Sequence, residues 1–272
     1  MTLQKQAARW AFATITALSA TTAMPQETPP AAAPAATPAK TADAGMIKYC
    51  NNPHIAYVLT SSGNVNENVR KGVETLAATL TEKTAFEPQV AALNIETDKD
   101  KLTCFRYIYW PITSDARPLS PAAQKQVQNY LDSGGMLHFD ILDQSAALGN
   151  SRVLQRVLGD VAIKPLTQLK DGDTLTRSFY ITSGLPGSKS FGPVWIEAPG
   201  AKGDESVSSV LIGDHNWADA WSGRTLRPDS DERKNALRAG INIVMYALTG
   251  TLRSNKATEQ MKVPAPAASA PR

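Results

Sequence analysis

The sequence is short of every motif that would name a reaction by itself. It has no Gly-x-Ser-x-Gly elbow to expose a serine nucleophile, no Gly-x-x-x-x-Gly-Lys-Ser/Thr loop to cradle phosphates, and no Gly-x-Gly-x-x-Gly fingerprint for a dinucleotide. It also lacks an excess of charge. Setting aside Lys5 and Arg9 at the extreme N-terminus from the 28 basic residues leaves 26 against 25 acidic ones, which argues against a basic surface for nucleic acid. Long apolar runs are missing too. The best stretch, Trp10 to Ala23 (WAFATITALSATTA), is about 14 residues, short of the roughly 20 needed to span a bilayer.

That stretch follows a short basic region and ends in small residues, with Thr21 at the minus-three position of a cleavage site after Ala23. It reads as a secretory signal, residues 1–23, and the expected location is the periplasm, with no membrane span left after cleavage. Residues 24–45 are rich in Pro and Ala and carry no large apolar side chain after Met24, so they read as an extended linker, and residues 256–272 as a tail of similar composition. Between them, 46–255 is long enough for one sizeable α/β domain. Cysteine is scarce. Cys50 and Cys104 are the only two, and in an oxidising compartment the even pair suggests one disulfide, with two unpaired buried thiols as the other reading.

Inside the domain, apolar runs alternate with helical patterns. Ile55 to Ser62 (IAYVLTSS) reads as a buried strand, and Val69, Val73, Leu76 and Leu80 then recur at helical spacing. Phe105 to Ile112 (FRYIYWPI) reads as a strand halted by Pro111. Ser120 as N-cap, Pro121 in the first turn and Gly134-Gly135 as a stop bracket a second helix. MLHFDIL from Met136 and SSVLIG from Ser208 read as further strands. The helix from Asp231 to Leu248 carries a small-residue face of Ala236, Ala239, Gly240, Ile243 and Ala247. Val161 to Ala198 reads as extra strands and a loop. Strands separated by helices call for a mostly parallel sheet covered on both faces.

Ligands of such sheets bind beyond the C-terminal strand ends. Four polar segments are expected there: Thr60 to Asn64, Pro111 to Asp115, Asp140 to Gln144, and Asp214 to Trp217. The candidate cleft is Ser61, Asn64, Trp110, Asp140, Asp143, Asp214, Asn216, Trp217, Trp221 and Arg224. Asp140, Asp143 and Asp214 offer oxygen ligands or an acid/base pair, against the plainer reading of Asp140 as a strand-end cap. His138 alternates with Asp140 and so shares its sheet face. A metal site of His138, Asp140 and His215 draws on three scattered elements, so no metal and no cofactor is assigned. Trp110, Trp217 and Trp221 either stack on a sugar or cover the core. Arg224 and Arg227 either neutralise an anion or pair with Asp219, Asp229 and Asp231.

The segments GDHNWADAWSG (213–223) and ERKNALRAGINIVMYALTG (232–250), with IAYVLTSS, FRYIYWPI, LDSGGMLHFD and LTRSFYI, resemble a bacterial family known as domain of unknown function 4159. The resemblance spans 46–255. It implies a flavodoxin-like, class I glutamine amidotransferase-like three-layer sandwich, with no established catalytic activity. Relatives are often the C-terminal part of large membrane proteins, which implies envelope membrane proteins or cell-wall components as partners. This chain has Gly172-Asp173 before TLTRSFY where relatives commonly carry Asp-His, so no role of that histidine carries over. The expected function is an exported, non-catalytic binding or scaffolding domain. The alternative is a hydrolase or transferase using Asp140, Asp143 and Asp214, with or without a divalent cation.

Overall fold

A computed structural model of the chain describes residues 49–142, 152–189, 192–198 and 208–260, with side chains through 249. The signal segment, the Pro/Ala linker, Asp143 and the tail from 261 lie outside the described residues. Seven strands form one sheet: β1 His54–Val58, β2 Gln89–Leu93, β3 Tyr107–Ile112, β4 Met136–Ile141, β5 Leu166–Gln168, β6 Trp195–Glu197 and β7 Val210–Gly213. Their order is β2-β1-β3-β4-β7-β6-β5. The first five are parallel, β6 runs antiparallel to β7, and the edge strand β5 pairs antiparallel with β6. The fold is thus a mixed α/β sandwich with the flavodoxin-like strand order expected, the order reversing at β1.

The helices are α1 Gly63–Lys83, α2 Pro121–Asp132, α3 Arg152–Leu158, α4 Trp217–Ser222 and α5 Asp231–Gln260. Alternation along each strand divides the core. Ile55, Tyr57, Tyr107, Tyr109 and Leu211 point to the face packed by α1, α4 and α5. Ala56, Val58, Ile108, Trp110, Phe139 and Ile212 point to the face packed by α2 and α3. Both faces are covered, which is why the central strands read as unbroken apolar runs.

Local signals explain the helix ends. The Ser62 hydroxyl accepts from the Val65 amide at the start of α1, and the Ser120 hydroxyl accepts from the Ala123 amide at the start of α2, which carries Pro121 in its first turn. Glu96 fixes the second cap by accepting from the Ser120 amide and hydroxyl at 2.9 and 2.6 Å. Gly134, at φ 81°, stops α2.

Several expectations are corrected. Pro111 does not halt its strand but pairs with Asp140 inside β3. The Ile112 carbonyl accepts from the Leu142 amide on the β4 side, so the alternating Pro111 faces β1. The β1–β3 ladder has already ended at Tyr57–Tyr109, and the missing N–H costs no ladder bond. The edge strand β2 and the short helix α3 have no counterpart in the sequence reading. Within Val161 to Ala198 the extra strands are β5 and β6, and residues 178–189 form none. The last helix continues past Leu248 to Gln260, since an interior glycine such as Gly250 costs only about 1 kcal/mol.

Cys50 and Cys104 form a disulfide across a sequence separation of 54. It ties the segment before β1 to the 3-10 turn Lys99–Cys104 before β3, and in the chain-entropy model a loop of this size stabilises the fold by about 4 kcal/mol. A second tie is Asn242 on α5, wholly buried. Its Oδ1 accepts from the Phe179 and Tyr180 amides at 3.1 and 2.7 Å, and its Nδ2 donates to the Tyr180 carbonyl at 2.8 Å. No helix among the described residues is long and apolar enough to cross a membrane.

The approach of α4 to α1 is set by Gly72. A methyl group there would lie 2.3 Å from the Ala218 carbonyl oxygen, a backbone atom that cannot swing aside. Gly72→Ala should therefore destabilise the protein by about 1–3 kcal/mol in urea unfolding despite its better helix propensity. Gly63→Ala, with open space around it, is the control; equal stability of the two variants would refute the close-packing account.

Candidate functional site

At the C-terminal end of the sheet the structure brings together two separate groups of polar residues. The first bridges the loops after β1 and β3, where strand order reverses. The Ser61 hydroxyl donates to Asp115, and this bond holds the Asp115 carboxyl below its ordinary range. Ser61 and Asn64 are exposed. Asn66 closes the loop from beneath, accepting from the Thr60 amide at 2.7 Å and donating to its carbonyl at 2.9 Å.

The second group lies under the turn Asp214–Asn216 between β7 and α4. Register places Tyr109 beside His138, and His138 and Asp140 share one face of β4 as expected. Asp140 is wholly buried. Its Oδ1 accepts from the Asn216 amide at 3.0 Å, and its Oδ2 accepts from the Trp217 amide at 2.8 Å and from the Tyr109 hydroxyl at 2.5 Å. The Tyr109 oxygen accepts in turn from the Ala218 amide at 3.4 Å. Burial pushes the Asp140 carboxyl up to about 7, although all three hydrogen bonds favour the ionised form and pull the other way. The turn needs this anchor because Asn216 sits at φ 50°, the one non-glycine residue in the left-handed region among those described. Asparagine adopts that conformation more readily than most residues.

Two imidazoles flank the Trp217 indole. His138 meets it edge-on at 4.4 Å between centroids, and His215 stacks on it at 4.6 Å and 11°. His138 Nδ1 and the Tyr107 hydroxyl are 2.7 Å apart. Burial holds both histidines below their ordinary range, His138 the more strongly. His138 Nε2, His215 Nδ1 and Asp214 Oδ1 are buried atoms without a hydrogen-bond partner, the last two 3.6 Å apart.

The expected cleft is not one site. Trp217 and Trp221 are core residues with no exposed surface, their indole N–H groups donating to the carbonyls of Leu185 at 3.0 Å and Ala236 at 2.9 Å. GDHNWADAWSG is therefore a strand end, a turn and a short helix rather than an open loop, because its two tryptophans, four residues apart, share a buried face. Trp110 is 4% exposed and packs on Phe139 on the opposite face of the sheet. Stacking on a sugar by these three rings is thereby corrected to core packing. Arg224 pairs with the buried Asp219, which also accepts from Thr225 and Asn68; the ion-pair reading of that arginine is the one observed. Asp143 lies outside the described residues. Among those described, no group of three His, Cys, Asp or Glu side chains is placed to hold a metal ion.

The sequence reading missed Tyr107 and Tyr109. Their alternation on β3 matches that of His138 and Asp140 on β4, and that shared parity was the available signal.

The family model for Domain of unknown function (DUF4159) matches residues 54–248, well over half the chain. The chain belongs to this family. A comparison with curated proteins finds no match. Among solved structures, the DUF4159 chain is similar to a protein from Thermoplasma acidophilum assigned as one of the subunits of GMP synthase, at 7% identity and a TM-score of 0.33, covering 76% of this chain and 98% of that one.

The buried cluster makes two predictions about pH. The Tyr109 hydroxyl bond lowers the Asp140 pKa, so Tyr109→Phe should move the carboxyl titration, followed by infrared difference bands, to a pH above that of the wild type. An unchanged or lower midpoint would refute the assigned donor. For His138 the folded-state pKa lies below the ordinary 6.5, so its contribution to stability is complete above that pH and lost below it. The loss approaches about 1.4 kcal/mol per pH unit, the limit for one linked proton. His138→Gln should flatten the acid limb of stability against pH accordingly, measured by urea unfolding.

Proposed function

We propose that the protein is an exported, non-catalytic binding or scaffolding domain of the cell envelope. The observation that carries this reading is the use of Asp140. The carboxylate best placed for acid/base work is sealed from solvent and fully occupied in holding the β7–α4 turn. The buried tryptophans and the Arg224–Asp219 pair are likewise engaged within the fold.

Export is supported by the basic then apolar N-terminal segment and by the Cys50–Cys104 disulfide, which suits an oxidising compartment. The partners proposed are envelope membrane proteins or cell-wall components. The exposed surface left at the strand ends, around Ser61, Asn64 and Asp115, lies where α/β sheets of this kind present their ligand-bearing loops.

A photo-crosslinking residue at Asn64 in the producing cell should give discrete adducts with envelope components. The purified chain should turn over no ester, phosphate or amide substrate with calcium, magnesium, manganese or zinc present. Turnover abolished by Asp214→Asn would overturn the non-catalytic reading.

A further inference from the structure

The turn 214–217 is covered by a strap, residues 184–189, that is built around His215. The Lys189 amide donates to the His215 carbonyl at 3.1 Å, the Ser188 hydroxyl donates to the Asn216 carbonyl at 3.2 Å, and the Leu185 carbonyl accepts from the Trp217 indole at 3.0 Å. Gly187 lies flat on the histidine. A methyl group there would fall 2.2 Å from the His215 carbonyl oxygen and 2.8 Å from its Cβ. The strap therefore closes only while His215 keeps its present backbone position.

That position leaves polar atoms unpaired. His215 is 5% exposed, and its Nδ1 has no hydrogen bond although Asp214 Oδ1, equally unpaired, lies 3.6 Å away. Ordinary charge-assisted bonds are shorter, about 2.7–2.9 Å. The ring is instead stacked flat on Trp217, with the second imidazole, His138, across the same indole and its own Nε2 unpaired. Buried unpaired groups of this kind cost free energy and call for a reason.

We propose that the His215–Asp214 pair and the 184–189 strap form an acid-released latch over Trp217. When Nδ1 of His215 takes a proton from solvent, a buried cation is created, and its one adjacent counter-charge is Asp214. Closing the 3.6 Å gap to a bonded distance draws the ring off the indole and the turn off Gly187. Of the groups facing the two imidazoles, one reinforces this and one opposes it. From β4 comes Asp140, whose protonation removes acceptor capacity from the Asn216 and Trp217 amides. From β3 come Tyr107 and Tyr109, which carry no charge. From the opposite side of Trp217 comes His138, a second imidazole that disfavours a neighbouring cation. The strap's one charged residue is Lys189, and the nearest charged residue of α4, Asp219, is already held by Arg224, Thr225 and Asn68. Acid therefore acts on this turn twice, through its anchor and through its cover. The partner-binding reading above is independent of this device.

Amide hydrogen exchange on the full mature chain, corrected for intrinsic rates, tests the latch. Between about pH 7.5 and 5, protection in 184–189 and 214–218 should fall by up to about tenfold per pH unit, the slope of one linked proton. Protection in β3 and α1 should hold, and Trp217 emission should become open to acrylamide. His215→Asn should remove the pH dependence. Asp214→Asn, which keeps the histidine but removes the counter-charge, should shift release to lower pH and serves if the first variant fails to fold. Equal corrected protection of the two segments at both pH values, loss of protection shared by the whole domain, or an unaltered response in the variant that folds would each overturn the proposal.

Discussion

One buried carboxylate decides how the upper half of this domain is assembled. Asp140 stands at the end of a central strand with no cation beside it, and it is held ionisable by two backbone amides and a tyrosine hydroxyl. Those amides open α4, and α4 carries Trp217 and Trp221 into the core between α1 and α5. Removing the acceptor would leave buried N–H groups unpaired, each costing about 1–3 kcal/mol. The left-handed Asn216, the close approach of Gly72 to Ala218 and the stacking of His215 on Trp217 all follow from where that carboxylate places the turn.

This arrangement explains why residues that read as chemistry turn out to be architecture. An aspartate at a strand end, a histidine two residues before it and paired tryptophans after another strand compose an active site as readily as a core. The deciding quantity is solvent access, which depends on what covers the turn. Here α4 folds back over the sheet, and residues 184–189 close over the top. A carboxyl raised to about 7 is often a mark of function, but in this case burial is the main cause of the shift, with the nearby Asp214 adding to it.

The central scaffold was legible in the sequence because its causes are local. The runs at β1, β4 and β7, the cap Ser120 and the buried positions Val69, Val73, Leu76 and Leu80 all depend on neighbours within a turn or two of chain. What escaped depends on distant contacts. Edge strand β2 is half exposed and too short to show a period. Pro111 is tolerated only because the β1 ladder has ended beside it. Asn242 looks like an ordinary polar residue in an apolar helix until residues 178–182 arrive to use both ends of its amide. At the site, the common face of His138 and Asp140 could be read from alternation. Their partners Tyr107 and Tyr109 required knowing that β3 and β4 are neighbours.

The same contrast separates the two polar groups at the strand ends. The Ser61–Asp115 bridge is exposed, so its hydrogen bond competes with water and fixes the loops only weakly. The Asp140 network is dry, so each of its bonds is costly to break and its protonation states are tied to the positions of the groups around it. The proposed surface for partners lies on the first, where side chains can change company at little cost. The proposed latch lies on the second, because only a desolvated turn converts the gain of one charge into movement of its cover.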